Sequence, residues 1–170
     1  MRETKPIRPS HRPAAPLYTP EERRRRDASP WTIVQGILAP LQFAVFAVSL
    51  GLVLRFLLTG EGYGAATLSV VLKTAVLLLI MVTGSIWEKA VFGRWLLAPA
   101  FFWEDVVSFG VIALHLLYVA ALLGGLLAPA PLMALALVAY AAYVVNAAQF
   151  VLKLRRARRG GEAPGAAVPA

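Results

Sequence analysis

The chain has 170 residues, of which 59% are hydrophobic and only 15% charged, with a mean hydropathy of +0.68, so a water-soluble globular enzyme is excluded. It holds no cysteine, which removes disulfides, thiolate nucleophiles, zinc-thiolate and iron–sulfur sites, and thiol-linked lipid anchors. The formal charge of +8 lies in the tails: eight of 17 basic residues precede Trp31 and five lie between Lys153 and Arg159.

In chain order, residues 1–30 read as a basic Pro/Arg-rich tail, unstructured apart from a short helix from Thr19 through Arg26 that opens on Thr-Pro-Glu-Glu. Four apolar runs follow, at about 31–58, 65–87, 104–127 and 131–154, each near or above the roughly 20 residues that cross a hydrocarbon core. The expected fold is therefore all-α: an integral membrane protein whose four transmembrane helices fill residues 31–155, with a disordered tail at 156–170. The first run is too long, and too far from the N-terminus, for a cleaved signal peptide, and Pro40 is expected to kink it. The connections alternate. Gly60 to Gly64 and Ala128 to Pro131 carry no Lys or Arg, whereas the middle one holds Lys89 and Arg94. By the positive-inside rule both termini and the middle connection face the cytoplasm. Arg23 to Arg26 and the Lys153 to Arg159 run fit anionic headgroups, and no RNA- or DNA-binding motif accompanies them, so no nucleic acid is expected as a partner.

Counting about 1.5 Å per helical residue from the nearer span end, Gln42, Lys73, His115, Tyr118, Tyr140 and Tyr143 fall near the midplane. Gln35, Glu88, Glu104, Asp105, Asn146 and Gln149 fall toward the cytoplasmic rim. Two such belts suit a pocket open to the cytoplasmic leaflet, and equally suit polar contacts between helices. Glu104, Ser108, Val111, His115 and Tyr118 share one helical face, with Glu104 and His115 about 16 Å apart along the axis and hence in different layers.

Glu88, Glu104 and Asp105 read either as a carboxyl cluster that burial keeps partly protonated for acid catalysis, or as an ion-pair set with Lys89 and Arg94. His115 reads as a ligand to a metal in a bound cofactor, a base, or a helix–helix hydrogen bond, and Lys73 as an anion site or a structural ion pair. Trp87, Phe92, Trp95, Phe101, Phe102 and Trp103 crowd six of the chain's 17 aromatics into 87–103, as a flat-ligand site or an interfacial belt. No P-loop, nucleophile elbow or His-Glu-x-x-His site occurs, and Gly60-x-Gly62-x-Gly64 lacks the preceding strand of a dinucleotide fingerprint.

Particular strings carry a resemblance. Leu17-Tyr18-Thr19-Pro20-Glu21-Glu22-Arg23, Ser29-Pro30-Trp31-Thr32-Ile33-Val34-Gln35-Gly36, Leu38-Ala39-Pro40-Leu41-Gln42-Phe43, Met81 to Lys89 (MVTGSIWEK), Ala98 to Asp105 (APAFFWED) and Asn146 to Arg155 (NAAQFVLKLR) resemble the 2-vinyl bacteriochlorophyllide hydratase family of anoxygenic phototrophs. The resemblance spans about residues 17–155. It implies hydration of the C3 vinyl group of chlorophyllide a, or of its bacteriochlorophyllide relative, to a 1-hydroxyethyl group in bacteriochlorophyll a synthesis. It further implies a bacterial cytoplasmic or intracytoplasmic membrane, and other enzymes of that pathway as neighbours. Such a reaction needs a proton donor and a placed water and no cofactor; magnesium enters only within the substrate. On this reading Glu104 is the acid, with Glu88 or Asp105 orienting or activating water. From its depth and not from the shared strings, His115 is expected to contact the pigment's magnesium; Tyr118, Trp87 and Trp103 are expected to bind the substrate too, and Lys89 or Arg94 to hold its propionate. The competing readings are a non-catalytic membrane carrier or assembly subunit for the same pigment and, with less support, a small transporter.

Overall fold

In the computed structural model residues 17–161 are described, so the expected disorder of 1–16 and 162–170 lies outside the described residues. Five helices follow one another: α1 (Pro20–Ala28), α2 (Pro30–Thr59), α3 (Tyr63–Phe92), α4 (Phe102–Leu123) and α5 (Pro129–Gly161). α1 starts with a capping box, in which Thr19 Oγ1 accepts from Glu22 N at 3.2 Å and the Thr19 N–H donates to Glu22 Oε2 at 2.8 Å. Pro20 at its first position needs no hydrogen-bond partner. Ser29, extended at φ −82° and ψ 126°, separates α1 from α2, as the residue before Pro30 must leave helical geometry.

Helices α2 to α5 are each long and apolar enough to cross a membrane. Three boundaries move by more than two residues from the sequence expectation. α5 runs on past 154 to Gly161, so 156–161, expected within the disordered tail, continue the helix, as the good helix formers of that stretch allow. The other two lie at glycine. α3 runs on past residue 87 to Phe92 and stops where Gly93 takes φ 77°; α4 stops at Leu123 instead of near 127, ahead of Gly125 at φ 58°. The missing Cβ makes that left-handed geometry accessible.

The packing is two helical hairpins laid together. α2 packs along α3 and α4 along α5; α2 also meets α5, and α1 rests on α3. The apolar core of Phe46, Val53, Val70, Leu77, Val111, Leu132 and Met133 lies between the hairpins. Outward positions are apolar too, with Leu58 83% and Leu123 81% exposed, the surface that lipid rather than water would cover. Cross-helix polar pins add register: Gln35 Nε2 donates to Thr83 Oγ1 at 2.8 Å, Trp87 Nε1 donates to Thr32 Oγ1 at 3.0 Å, and Thr32 Oγ1 donates to Arg26 O at 2.6 Å. The last two fasten α1, α2 and α3 at one end of the bundle, where the 93–101 connection also lies.

Candidate functional site

The end of the bundle carrying α1 and the 93–101 connection is rich in carboxyls and aromatic rings. Two buried carboxyls hold the connection: Asp105 Oδ2 accepts from Leu97 N at 2.8 Å and Glu88 Oε2 accepts from Ala98 N at 3.1 Å. Leu97 sits at φ 59°, strained for a residue with a branched side chain, and the two bonds fix that turn. The two carboxyls thus hold neighbouring backbone N–H groups of the connection from α3 and from α4.

Glu104, one residue before Asp105, points to a different neighbour. Its Oε2 pairs with Lys153 Nζ of α5. Both line an open cleft of about 360 Å³ together with Gln149, Leu152 and Arg156. The alternative pairing of the carboxyls with Lys89 and Arg94 is not formed among the described residues: Lys89 Nζ donates to Gly93 O at 2.9 Å, 5.9 Å from the Trp95 ring centre, and Arg94 is exposed.

The aromatic residues divide into two sets. Tyr18, Trp87, Phe92 and Phe101 form an inner cluster, extended by Phe150 stacked 6.0 Å from Phe101. Lys153 Nζ lies 5.1 Å from the Phe101 ring centre, joining this cluster to the Glu104 cleft. Trp95, Phe102 and Trp103 face outward, Trp103 at 70% exposure. Burial pushes the Tyr18 hydroxyl above its ordinary pKa, against the opposing pull of Arg26 beside it. Beyond Tyr18 a second cleft of about 570 Å³ is lined by Pro20, Arg23, Arg24 and Asp27.

The midplane residues meet as well, in a separate layer. Gln42, Lys73, His115, Tyr118, Tyr140 and Tyr143 are all buried. Lys73 Nζ lies 3.7 Å from the Tyr143 ring centre, the His115 and Tyr140 rings are 5.9 Å apart, and His115 Nδ1 bonds Val111 O at 2.8 Å. The Tyr140 hydroxyl meets Ser49, which also bonds Ser69 at 2.7 Å. His115 and Lys73 have no exposed surface, so neither borders the Glu104 cleft. Among the described residues no group of three His, Asp or Glu side chains is placed to hold a metal ion.

The partner of Glu104 escaped sequence reading because Lys153 belongs to a basic run that reads as a topology signal. Its one available sign was spacing: Tyr143, Asn146, Gln149 and Lys153 recur at three- and four-residue steps, which puts Lys153 on the inner face of α5. Ser49 and Tyr18 had no comparable sign.

A sequence model of the 2-vinyl bacteriochlorophyllide hydratase family matches residues 18–156, which contain every side chain of the site just described. The chain belongs to this family. A 2-vinyl bacteriochlorophyllide hydratase of Cereibacter sphaeroides is 63% identical over 164 residues, covering 96% of this chain and 99% of that one. One of Rhodobacter capsulatus is 66% identical over 143 residues, 84% of this chain and 82% of the relative. No solved structure matches the chain. The family's match takes in both the α1 docking segment and the Glu104–Lys153 pair, so the whole carboxyl-lined end lies within it.

Proposed function

We propose that this chain adds water to the C3 vinyl group of chlorophyllide a or its 3-vinyl bacteriochlorophyllide relative, giving the 1-hydroxyethyl product, and that the chemistry takes place at the Glu104 cleft. The observation that carries the site is the placement of Glu104. Of the three clustered carboxyls it is the one that lines an open cleft, while Glu88 and Asp105 stand behind it on the 93–101 connection.

With the pigment covering the cleft and water shut out, the proton that Glu104 shares with Lys153 rests on Glu104, which delivers it to the terminal vinyl carbon, leaving a cation that the macrocycle delocalises. Water adds to the inner carbon and releases its spare proton to the carboxyl set of Glu104, Asp105 and Glu88, which ends the cycle with the protons it began with. Hydration is redox-neutral, so the reading calls for no nucleotide or flavin, and magnesium travels with the substrate. Phe101, Phe150 and Trp87 offer ring faces beside the cleft, and the outward Trp103 anchors that end in the headgroup region. Lys89 and Arg94, exposed at the start of the connection, receive the propionate. A role for His115 and Tyr118 at the pigment's magnesium requires the helices to part, because both residues are sealed at the midplane.

The basic residues put both termini and the 93–101 connection on the cytoplasmic side of a bacterial cytoplasmic or intracytoplasmic membrane, where the other enzymes of the pathway would hand over the pigment. The test is membranes containing this chain alone, supplied with chlorophyllide a without reductant. Loss of vinyl conjugation moves the long-wavelength absorption band to shorter wavelength, with a product heavier by one water. Bound pigment with an unchanged spectrum and mass would point instead to a carrier.

A further inference from the structure

Buried polar atoms rarely go without a partner, and several here find none in the protein. Ser29 Oγ, Thr67 Oγ1 and Tyr118 Oη are three of the eight among the described residues; the other five are Lys73 Nζ, His115 Nε2, Gln42 Oε1, Asn146 Oδ1 and Gln149 Oε1. These five come from α2, α3, α4 and α5, and taken by helical rise their residues step as a line from the midplane layer to the Glu104 cleft. At its inner end Lys73 lies over the Tyr143 ring; Tyr143 and Tyr140 both pack on Phe46, at 5.0 and 5.4 Å, and the Tyr140 ring lies 5.9 Å from that of His115. At its outer end Asn146 Nδ2 donates to Ser108 Oγ at 2.8 Å, and Gln149 lines the Glu104 cleft. The eleven residues from Glu104 to His115 make the line about 16 Å long.

The chemistry of these atoms identifies what fills the line. A carbonyl only accepts, so His115 Nδ1 must be the donor to Val111 O, which leaves Nε2 of the neutral ring as a bare acceptor. Lys73 offers donors, while the Gln42, Asn146 and Gln149 oxygens accept. A buried anion would want donors alone. Water wants both, with two to four partners per molecule.

We propose that a file of internal waters runs along the α4–α5 seam from the Lys73–His115 cluster to the Glu104 cleft, and that it supplies the water added to the vinyl group. This rests on the hydratase reading above. A flat pigment seated on the cleft shuts out the bulk solvent, so the reacting water has to be inside beforehand. Asn146 and Gln149, three residues apart, have side chains rooted about 5–6 Å from each other on one helix face. The Asn146 oxygen accepts one hydrogen of a single water, which leaves the other directed at Glu104 and turns the lone pair toward the substrate, while the Gln149 oxygen accepts from the next water of the file. The vinyl π bond breaks as Glu104 gives its proton to the terminal carbon. A C–O bond forms from the held water, whose spare proton returns to the Glu104 carboxylate. Asn146 and Gln149 are thus positioning residues.

Two measurements test this, the first without substrate. In proteoliposomes of the full chain, with His11→Gln leaving His115 the single histidine, water-edited solid-state NMR should show transfer from water protons to His115 Nε2 and to the Asn146 carboxamide. Dry signals at both overturn the water file, and this holds whether or not the chain proves to be a hydratase. The second is Asn146→Leu, close in size but without the acceptor, which should lower kcat about tenfold or more with KM for the pigment unchanged. Asn146→Ser, small enough to admit a water in place of the carboxamide, should recover most of the rate. An unchanged kcat in Asn146→Leu, or a change confined to KM, refutes the supply role. The NMR measurement uses the native Asn146 and so decides even where Asn146→Leu fails to fold. If the parent chain yields no hydrated product, the hydratase reading fails, and the NMR result still stands for the waters alone.

Discussion

Replacing Glu104 with Gln separates chemistry from architecture at one atom pair. Gln keeps the shape of Glu and an oxygen that accepts from Lys153, and it cannot deliver a proton. The Glu104 and Lys153 side chains retain 11% and 27% exposure, so water already screens the pair in part. Exchanging the ion pair for a bond from the Lys153 ammonium to a neutral amide oxygen should therefore cost the fold about 1 kcal/mol. Loss of a general acid should cost turnover about 100- to 10,000-fold, equivalent to about 3–5 kcal/mol of barrier. The two effects differ enough to be told apart. The assay follows the blue shift of the chlorophyllide band in membranes, with pigment binding and thermal unfolding measured on the same preparation. A variant that binds pigment and turns over within a few-fold of the parent would remove Glu104 from the mechanism. A variant that loses pigment binding together with activity would make Glu104 a structural residue.

Three further outcomes are expected. Asp105→Ala strips the Leu97 N–H of its acceptor and frees a turn held at φ 59°, so it should destabilise the fold by about 1–3 kcal/mol and open the 93–101 connection to proteolysis; unaltered cleavage would contradict the clamp. Ser49→Ala leaves the Tyr140 hydroxyl buried without its partner, a loss of about 1–3 kcal/mol that should appear as a lower melting temperature; an unchanged melting temperature would show that the Ser49–Tyr140 bond adds nothing to the fold. Because the chain has no cysteine, single cysteines report topology cleanly: Glu61→Cys should react with an impermeant maleimide added to spheroplasts and Asp27→Cys should not, and the reverse pattern would invert the assigned orientation.

Much of the candidate site was legible in the chain. Depth counting put Gln42, Lys73, His115, Tyr118, Tyr140 and Tyr143 in one layer and Glu88, Glu104 and Asp105 in another; Lys73 meets Tyr143 and His115 meets Tyr140 in the first, while the three carboxyls bond Ala98, Leu97 and Lys153 in the second. That works because a membrane helix converts residue number into depth at a constant rise. The chemistry-bearing pairings were not legible in this way. Glu104 with Lys153 spans 49 residues, and Trp87 with Thr32 spans 55. Rise along an axis says nothing about which helix stands alongside.

The amino-acid sequence by itself determined the number of long apolar helices, the capped start of α1, the layers of polar residues and the strings that the family shares, since all of these depend on composition and local spacing. Only the tertiary structure decided that α2 pairs with α3 and α4 with α5, that Glu88 and Asp105 hold a backbone turn while Glu104 faces a cleft, and that His115 and Lys73 are sealed away from it. The reason lies in rotation. Neighbouring carboxyls at 104 and 105 sit about 100° apart around one helix and so meet different partners, and those partners are set by how the hairpins pack.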